Sequence, residues 1–331
     1  VGAMAHILNR PEIKDGIVAK GHAIMQPRIG VSLDAASVSK FTKMYAGMAG
    51  TDAYTNAISD VYQDNFEEGI FTGKGIYDVK VFSSVLKNKI PENTVLSHDL
   101  LEGSYLRCGL ASDIMLMDGS PTSYMSYKTR QSRWTRGDVQ ILRWLRKHIK
   151  DRKGEEKKNP LNLVSKYKIL DNLKKHLITP SVIFSIILAI ILWLYKGCKI
   201  WPIVIVALVA ILSPYIIEIV NRIIYKKDGE TFQKTFYKSI SGIKLSIIRG
   251  VLEIGLIPDK AYTMLTAILK SVYRMYISKK HLLEWTTAEE AEAQNKTGIT
   301  TYYKSMLPNL ILGLIVLVLG CKHLWISLLG I

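Results

Sequence analysis

Three short segments carry side chains whose types and spacing could do chemistry: Ser97-His98-Asp99, Arg130-Gln131-Ser132-Arg133-Trp134 and Thr72-Gly73-Lys74-Gly75. Asp99 opens a helix that the sequence predicts from Ser97 to Gly109, with Ser97 as its N-cap. A carboxylate there faces free backbone N–H groups and the positive end of the helix dipole, so Asp99 is expected to stay ionised and fixed in direction. It then serves either as a general base or as a helix cap. Arg130 and Arg133 are three residues apart, so on a helix they share one face and could clamp a diphosphate, while the Trp134 indole could stack on a sugar ring. Such a pair would stabilise negative charge developing on a nucleotide-diphosphate leaving group. A solvated or membrane-facing basic run is the competing reading. The Thr72–Gly75 segment is too short for a Walker phosphate loop and lacks its Lys-Ser/Thr ending. It reads as a strand edge where a ligand or backbone comes close, or as a plain turn.

The elements that must position these residues alternate between strand and helix. Ala23–Val31 is β-prone, and Ser37–Gly50 is helix-like with Phe41, Met44, Tyr45 and Met48 on one face. Phe71–Val79 is a loop at a strand edge, Val79–Leu86 a short helix and Asp113–Met117 a strand. An α/β domain containing part of a sheet follows. In Gly137–Lys150, Val139, Leu142, Leu145 and Ile149 form an apolar stripe, with Arg143, Arg146, Lys147 and Lys150 elsewhere. That pattern is expected of a helix lying among lipid headgroups, or of one docked on the soluble domain. Lys260–Lys280 is a second amphipathic helix, expected along the membrane surface. Glu289, Glu290 and Glu292 read as a solvated helix face.

Beyond about Lys175 uncharged apolar runs alternate with lysine-rich stretches. Leu177–Tyr195 and Trp201–Ile217 each approach the length of about 20 residues that crosses a bilayer. Leu307–Cys321 is a shorter third run, continued by an apolar stretch to Ile331. Pro180, Pro202 and Pro214 are tolerated in spanning helices where neighbours satisfy the backbone. The 331 residues carry 44 Lys and Arg against 28 Asp and Glu, a formal charge of +16. The placement of that charge, from Lys128 to Lys175 and from Arg222 to Lys304, argues against nucleic acid. It matches the Lys/Arg bias of cytosolic flanks, placing 1–175 and about 222–306 inside. Cys108, Cys198 and Cys321 show neither metal-ligand nor disulfide spacing. No cleavable signal peptide is visible at Val1 and the first residue is not Met, so the chain is expected to be part of a longer one. The expected divisions are 1–136 catalytic, 137–175 interfacial, 176–222 a membrane hairpin, 223–306 cytosolic and 307–331 a third, truncated span.

The segments MQPRIGVSLDAAS, KMYAGMAGTDAYT, SDVYQDNFEEGIFTGKGIYDV, PENTVLSHDLLEG and RQSRWTRGD closely resemble the glycosyltransferase domain of cyclic β-1,2-glucan synthases. HLLEWTTAEEAEAQ looks like the cytosolic segment those proteins carry between spans. SHD followed by RxxRW more distantly resembles periplasmic glucan glucosyltransferases and cellulose synthases. The resemblance implies a partial GT-A domain followed by transmembrane and interfacial helices, in a bacterial cytoplasmic membrane, with the catalytic part cytosolic. It implies UDP-glucose as donor, inversion at the anomeric carbon and a growing β-1,2-glucan as acceptor. Asp99 would be the base with His98 beside it; Arg130, Arg133 and Trp134 would hold diphosphate and acceptor, and Gly73, Lys74 and Gly75 would border the acceptor pocket. The family's divalent metal, Mg or Mn, is held by an Asp-x-Asp motif expected upstream of Val1, so no metal ligand is expected here and the chain alone is expected to be inactive. A noncatalytic membrane scaffold or polymer-conducting subunit with a decayed transferase domain, and a synthase of another β-glucan linkage, are the alternatives.

Overall fold

The computed structural model describes residues 1–45, 60–224, 232–284, 290 and 298–319. The distal part of the expected Ser37–Gly50 helix, Glu289, Glu292, Cys321 and the end of the third apolar run lie outside the described residues. Two units make up the chain: Val1–Lys175 with Thr266–Asn295, and His176–Leu265 with Lys296–Ile331.

In chain order the first unit contains α1 (Gly2–Ala5), β1 (Glu12–Lys14), β2 (Ile17–Lys20), β3 (Ile24–Val31), α2 (Leu33–Ser37), α3 (Lys40–Tyr45), α4 (Val61–Phe66), β4 (Ile76–Tyr77), α5 (Val79–Leu86), α6 (Asp99–Leu106), β5 (Cys108–Asp118), α7 (Tyr124–Ile141), β6 (His148–Lys150), β7 (Glu156–Lys158) and the start of α8 (Leu163–Lys196). The β1–β2 hairpin turns at Asp15 and Gly16, with φ of 53° and 82°. Two successive positive φ values match the twist of the flanking strands, and an Asp-Gly pair supplies them at least cost. The central sheet has the order β4-β3-β5. β3 pairs antiparallel with β4, and parallel with β5 from Ile24↔Cys108 to Val31↔Asp118. A parallel pair needs a long crossover, and here the intervening chain supplies α5 and α6.

The core gathers Ile24, Val85, Leu101, Tyr105, Leu106, Ile141, Trp144 and Ile169. The Trp144 indole N–H donates to the Tyr105 hydroxyl at 3.3 Å, which satisfies a polar group that burial would otherwise leave dry. Burial pushes the Cys108 thiol up to about 12, so it is a packing residue and not a nucleophile.

Gly137–Lys150 differs from the expected single helix. α7 ends at Ile141, a 3₁₀ turn follows over Leu142–Leu145, and His148–Lys150 forms a strand paired with β7. Asn159 causes the turn: its side-chain amide donates to the carbonyls of Trp144 and Arg146. The apolar stripe read as facing headgroups faces the core instead, with Leu142, Leu145 and Ile149 packed against it. Docking on the soluble domain is therefore the structure's answer for this stretch. The helix expected over Ser97–Gly109 is shorter, Asp99–Leu106, and its N-cap is His98, not Ser97.

Lys168, near the start of α8, is only 1% exposed. Its ammonium donates to Glu68 Oε1 and to the Gly69 carbonyl, each at 2.9 Å, and lies 5.2 Å from the Tyr62 ring centroid. This buried pair ties the helix to the loop before β4.

The second unit contains the remainder of α8, α9 (Trp201–Ile224), most of α10 (Phe232–Tyr273), α11 (Ile299–Ser305) and α12 (Leu307–Leu319). By length and composition α8 and α9 can cross a membrane, and a third span arises if α11 and α12, bent by 62°, count as one. Val182, Ala207, Ile211 and Ile257 pack α8, α9 and α10 together. α10 starts well before the expected Lys260 and ends at Tyr273 in a π turn, Arg274–Ser278. Two ion pairs involve its side chains, Arg249 with Glu218 at 3.0 Å and Lys260 with Glu253.

Removing one member of a buried ion pair strands the other charge at a cost of about 3–5 kcal/mol. Lys168→Met is expected to lower stability on that scale, and Lys168→Met with Glu68→Leu to lose less than the two single changes summed. Thermal unfolding in detergent, followed by tryptophan fluorescence, checks both.

Candidate functional site

The site is built where the loop before β4, the start of α6 and one face of α7 meet. Gln26 of β3 fixes the loop: buried in the sheet, it donates to the Ile70 carbonyl at 2.9 Å and accepts from the Thr72 N–H at 2.6 Å. Gly73 follows with φ +85°, and a Cβ there would meet the Asp99 carboxyl atoms at 3.0 Å. Only glycine combines that backbone conformation with that approach. Gly75 serves the sheet instead, since its Cβ would lie 2.4 Å from the Met25 carbonyl oxygen.

From the other side α7 presses on the segment that precedes α6. A Cβ on Gly137 would lie 2.7 Å from the Ser97 Cβ, and Gln140 Oε1 accepts from the Leu96 N–H at 2.6 Å. Arg130, Arg133 and Gly137 recur at helical spacing and so share a face of α7, and the contact that seats Gly137 brings the Arg133 guanidinium near enough to act on Asp99. The same Gln140 amide ties α7 to a further segment, its Nε2 donating to the Leu282 carbonyl at 3.0 Å, and Arg136 Nη1 donates to the Glu284 carbonyl at 2.9 Å.

Electrostatics divide the site in two. On the acidic side, burial pushes the Asp99 carboxyl above its usual range, opposed by His98, a hydrogen bond from Ser97 and the Arg133 guanidinium. The helix terminus alone leads one to expect the reverse direction; desolvation is the larger effect here. Asp99 makes no cap, because it is the first helical residue and the cap position, His98, has no side-chain cap bond. His98 Nδ1 pairs with Glu102 Oε1 at 2.7 Å, and that bond raises the imidazole above its ordinary value.

On the basic side, Arg130 lies over the Trp134 ring at 5.8 Å. Burial and the nearby Arg130 lower the Arg133 guanidinium, which Asp99 in turn supports. Burial and Arg130 also lower Lys74, whose ammonium forms an ion pair with Asp118 at the end of β5. Three cations, one of them paired with Asp118, thus crowd a partly desolvated patch beside Asp99, an arrangement receptive to an anion.

Of the residues singled out from sequence, the structure gathers Gly73, Lys74, His98, Asp99, Arg130, Arg133 and Trp134, and turns Gly75 to packing. Glu102 and Asp118 escaped sequence reading. Glu102 had a signal, its position four residues after His98; Asp118 had none, being 44 residues from Lys74 in sequence. Among the described residues one group could offer metal ligands: atoms of His98, Asp99 and Glu102 lie within 4.8 Å of one another. Its donors do not fit that use, because His98 and Glu102 already bond to each other and burial disfavours a charged Asp99; no metal is assigned to it.

The chain is 35% identical over 312 residues to the cyclic β-(1,2)-glucan synthase NdvB of Rhizobium meliloti (strain 1021). The match covers 92% of this chain and 10% of that protein, so the chain spans a small part of its relative's length. No protein-family model matches.

Adding side-chain volume to a closely packed contact costs about 1–3 kcal/mol. Gly137→Val is expected to destabilise the protein by that amount, read as a lower apparent Tm, as α7 is pushed from Ser97.

Proposed function

Because the chain is a relative of the cyclic β-(1,2)-glucan synthases over 92% of its length, we propose that it supplies the acceptor-side part of a membrane-embedded, inverting glucosyltransferase of GT-A fold. In this reading the complete gene product moves glucose from UDP-glucose to the growing end of a β-1,2-glucan. The observation that carries it is the meeting of a half-buried carboxylate, Asp99, with a patch of three cations.

Asp99 accepts the proton of the acceptor hydroxyl as that oxygen attacks the anomeric carbon. The bond from that carbon to the diphosphate oxygen breaks with its electron pair, UDP departs, and attack from the opposite face inverts the configuration. Arg130, Arg133 and Lys74 meet the negative charge that grows on the leaving diphosphate. Burial suits Asp99 to its role, since a base works best when its pKa is drawn toward the operating pH. Gly73 lets a sugar hydroxyl reach the carboxylate where any Cβ would intrude, and the Trp134 indole offers an apolar face to the acceptor ring. A divalent metal, Mg or Mn, belongs to the reading of the complete protein, and no step is routed through it.

The bilayer is the third partner. α8 and α9 are long and apolar enough to span it, and the basic stretches before α8 and after α9 support a cytosolic catalytic side, given the bias of Lys and Arg toward that side. The protein is accordingly read as a multi-pass resident of the bacterial cytoplasmic membrane.

In the complete gene product, Asp99→Asn is expected to lower glucose transfer from UDP-glucose by about 10²–10⁴-fold, the usual contribution of a general base. The amount in the membrane fraction should not change. A base must be unprotonated to act, so wild-type kcat/KM should fall as the pH drops, with a limb above the ordinary aspartate value of about 3.9. Full activity in the variant would remove Asp99 from this role.

A further inference from the structure

The start of α6 has no side-chain cap, so the position of Asp99, its first residue, depends on the segment just before it. One side chain of α7 holds that segment. Gln140 is 1% exposed, and its amide bonds backbone groups 44 residues before it and 142 after it: Oε1 accepts from the Leu96 N–H at 2.6 Å and Nε2 donates to the Leu282 carbonyl at 3.0 Å. We propose that Gln140 is a positioning residue for the transfer: its amide, oriented by Leu282, holds Leu96 and so sets where Asp99 stands relative to the guanidiniums of α7. This inference rests on the transferase reading above.

The amide has one workable orientation. Turned over, its oxygen would face the Leu282 carbonyl oxygen and its NH₂ the Leu96 N–H, and both backbone groups would lose their bonds. The Leu282 carbonyl that fixes this orientation is itself held in place. On either side of it, Arg274 Nη1 donates to the His281 carbonyl at 2.7 Å and Arg136 Nη1 to the Glu284 carbonyl at 2.9 Å, and the Arg274 guanidinium pairs with the Glu284 carboxylate. Side chains of α7 and of the π turn after α10 thus grip one short segment by its carbonyls.

Gly137, almost one turn earlier on α7, acts on the next residue of the same segment, since a Cβ there would lie 2.7 Å from the Ser97 Cβ. Leu96 and Ser97 are therefore both set against α7, two and three residues before the base. The earlier turns of that helix carry Arg130 and Arg133. The Gln140 bond to Leu96 accordingly fixes the spacing between two parts of the proposed reaction: the base on α6 and the groups on α7 that meet the leaving diphosphate. Transfer with inversion needs the acceptor oxygen, anomeric carbon and leaving oxygen in line, so an error in that spacing falls on the transition state. A displacement of about 1 Å can cost about 10²-fold in rate. Donor binding is spared, because the guanidiniums stay on α7 whether or not Leu96 is held.

The test is glucose transfer from UDP-glucose by membranes containing the complete gene product, with rates expressed per folded protein. Gln140→Met keeps the length of the side chain and removes both bonds; it is expected to lower kcat by about 10²-fold and to leave KM for UDP-glucose nearly unchanged. A residue that works through Asp99 has nothing to act on once the base is gone, so in an Asp99→Asn background the same change should cost little more. A general loss of structure would instead multiply the two losses. Gln140→Glu decides the matter if Gln140→Met does not fold. Burial keeps its carboxyl protonated at mildly acidic pH, where it can donate to Leu282 and accept from Leu96, so its kcat relative to wild type at the same pH should be high there and fall as the carboxyl ionises. Wild-type kcat in folded Gln140→Met, an equal loss in the Asp99→Asn background, or a Gln140→Glu ratio that does not fall with rising pH overturns the proposal. A wild-type protein that transfers no glucose overturns the transferase reading and this inference with it; an active wild type whose Gln140→Met variant keeps its kcat overturns this inference alone.

Discussion

At Gly137 the backbone of α7 comes so close to Ser97 that a Cβ would stand 2.7 Å from the serine Cβ. That approach sets the distance between two elements far apart in sequence, and the site depends on it. With α7 seated there, Gln140 can bond the Leu96 N–H, and Arg133 comes near enough to influence Asp99. The same economy of volume recurs at Gly73 beside Asp99 and at Gly103, where a Cβ would sit 2.7 Å from the Phe71 Cβ. Three glycines let the β4 loop, α6 and α7 close on one another, so the carboxylate is partly desolvated without being sealed off.

Desolvation then determines the chemistry. Burial raises the carboxyl of Asp99 and lowers the cations Lys74 and Arg133, so each is shifted toward its neutral form. Opposite charges restrain the shifts of Asp99 and Arg133. The site is thus held near a balance that a bound anion or a departing proton can tip, as expected of groups that must change their charge state or partner during a reaction. The scaffold around it is stiffer. The buried Lys168–Glu68 pair and the Trp144–Tyr105 hydrogen bond lock the start of α8 and the turn after α7 to the core.

Much of this was legible locally. Val79–Leu86 is a helix in sequence and in structure because Asp78 caps it, accepting from the Lys80 and Val81 N–H groups. The two apolar runs were legible because their composition is uniform along the element, and the strand at Ala23–Val31 because its β-prone residues lie within the element itself. What failed was nonlocal. Val139, Leu142, Leu145 and Ile149 keep helical spacing, yet Asn159 bonds the carbonyls of Trp144 and Arg146 and turns the chain. No pattern within 137–150 announces a side chain from beyond it. The direction of the Asp99 shift failed likewise, because a helix terminus is visible in sequence and desolvation by neighbouring elements is not. The Asp15-Gly16 hairpin, by contrast, carries its turn signal locally, in the Asp-Gly pair itself.

The proposed activity, addition of glucose to a β-1,2-glucan, is tested most directly by its product. Membranes containing the complete gene product, given radiolabelled UDP-glucose, are expected to incorporate label into polymer whose linkage analysis returns 1,2-linked glucose. No incorporation, or a polymer joined through another position, would contradict it.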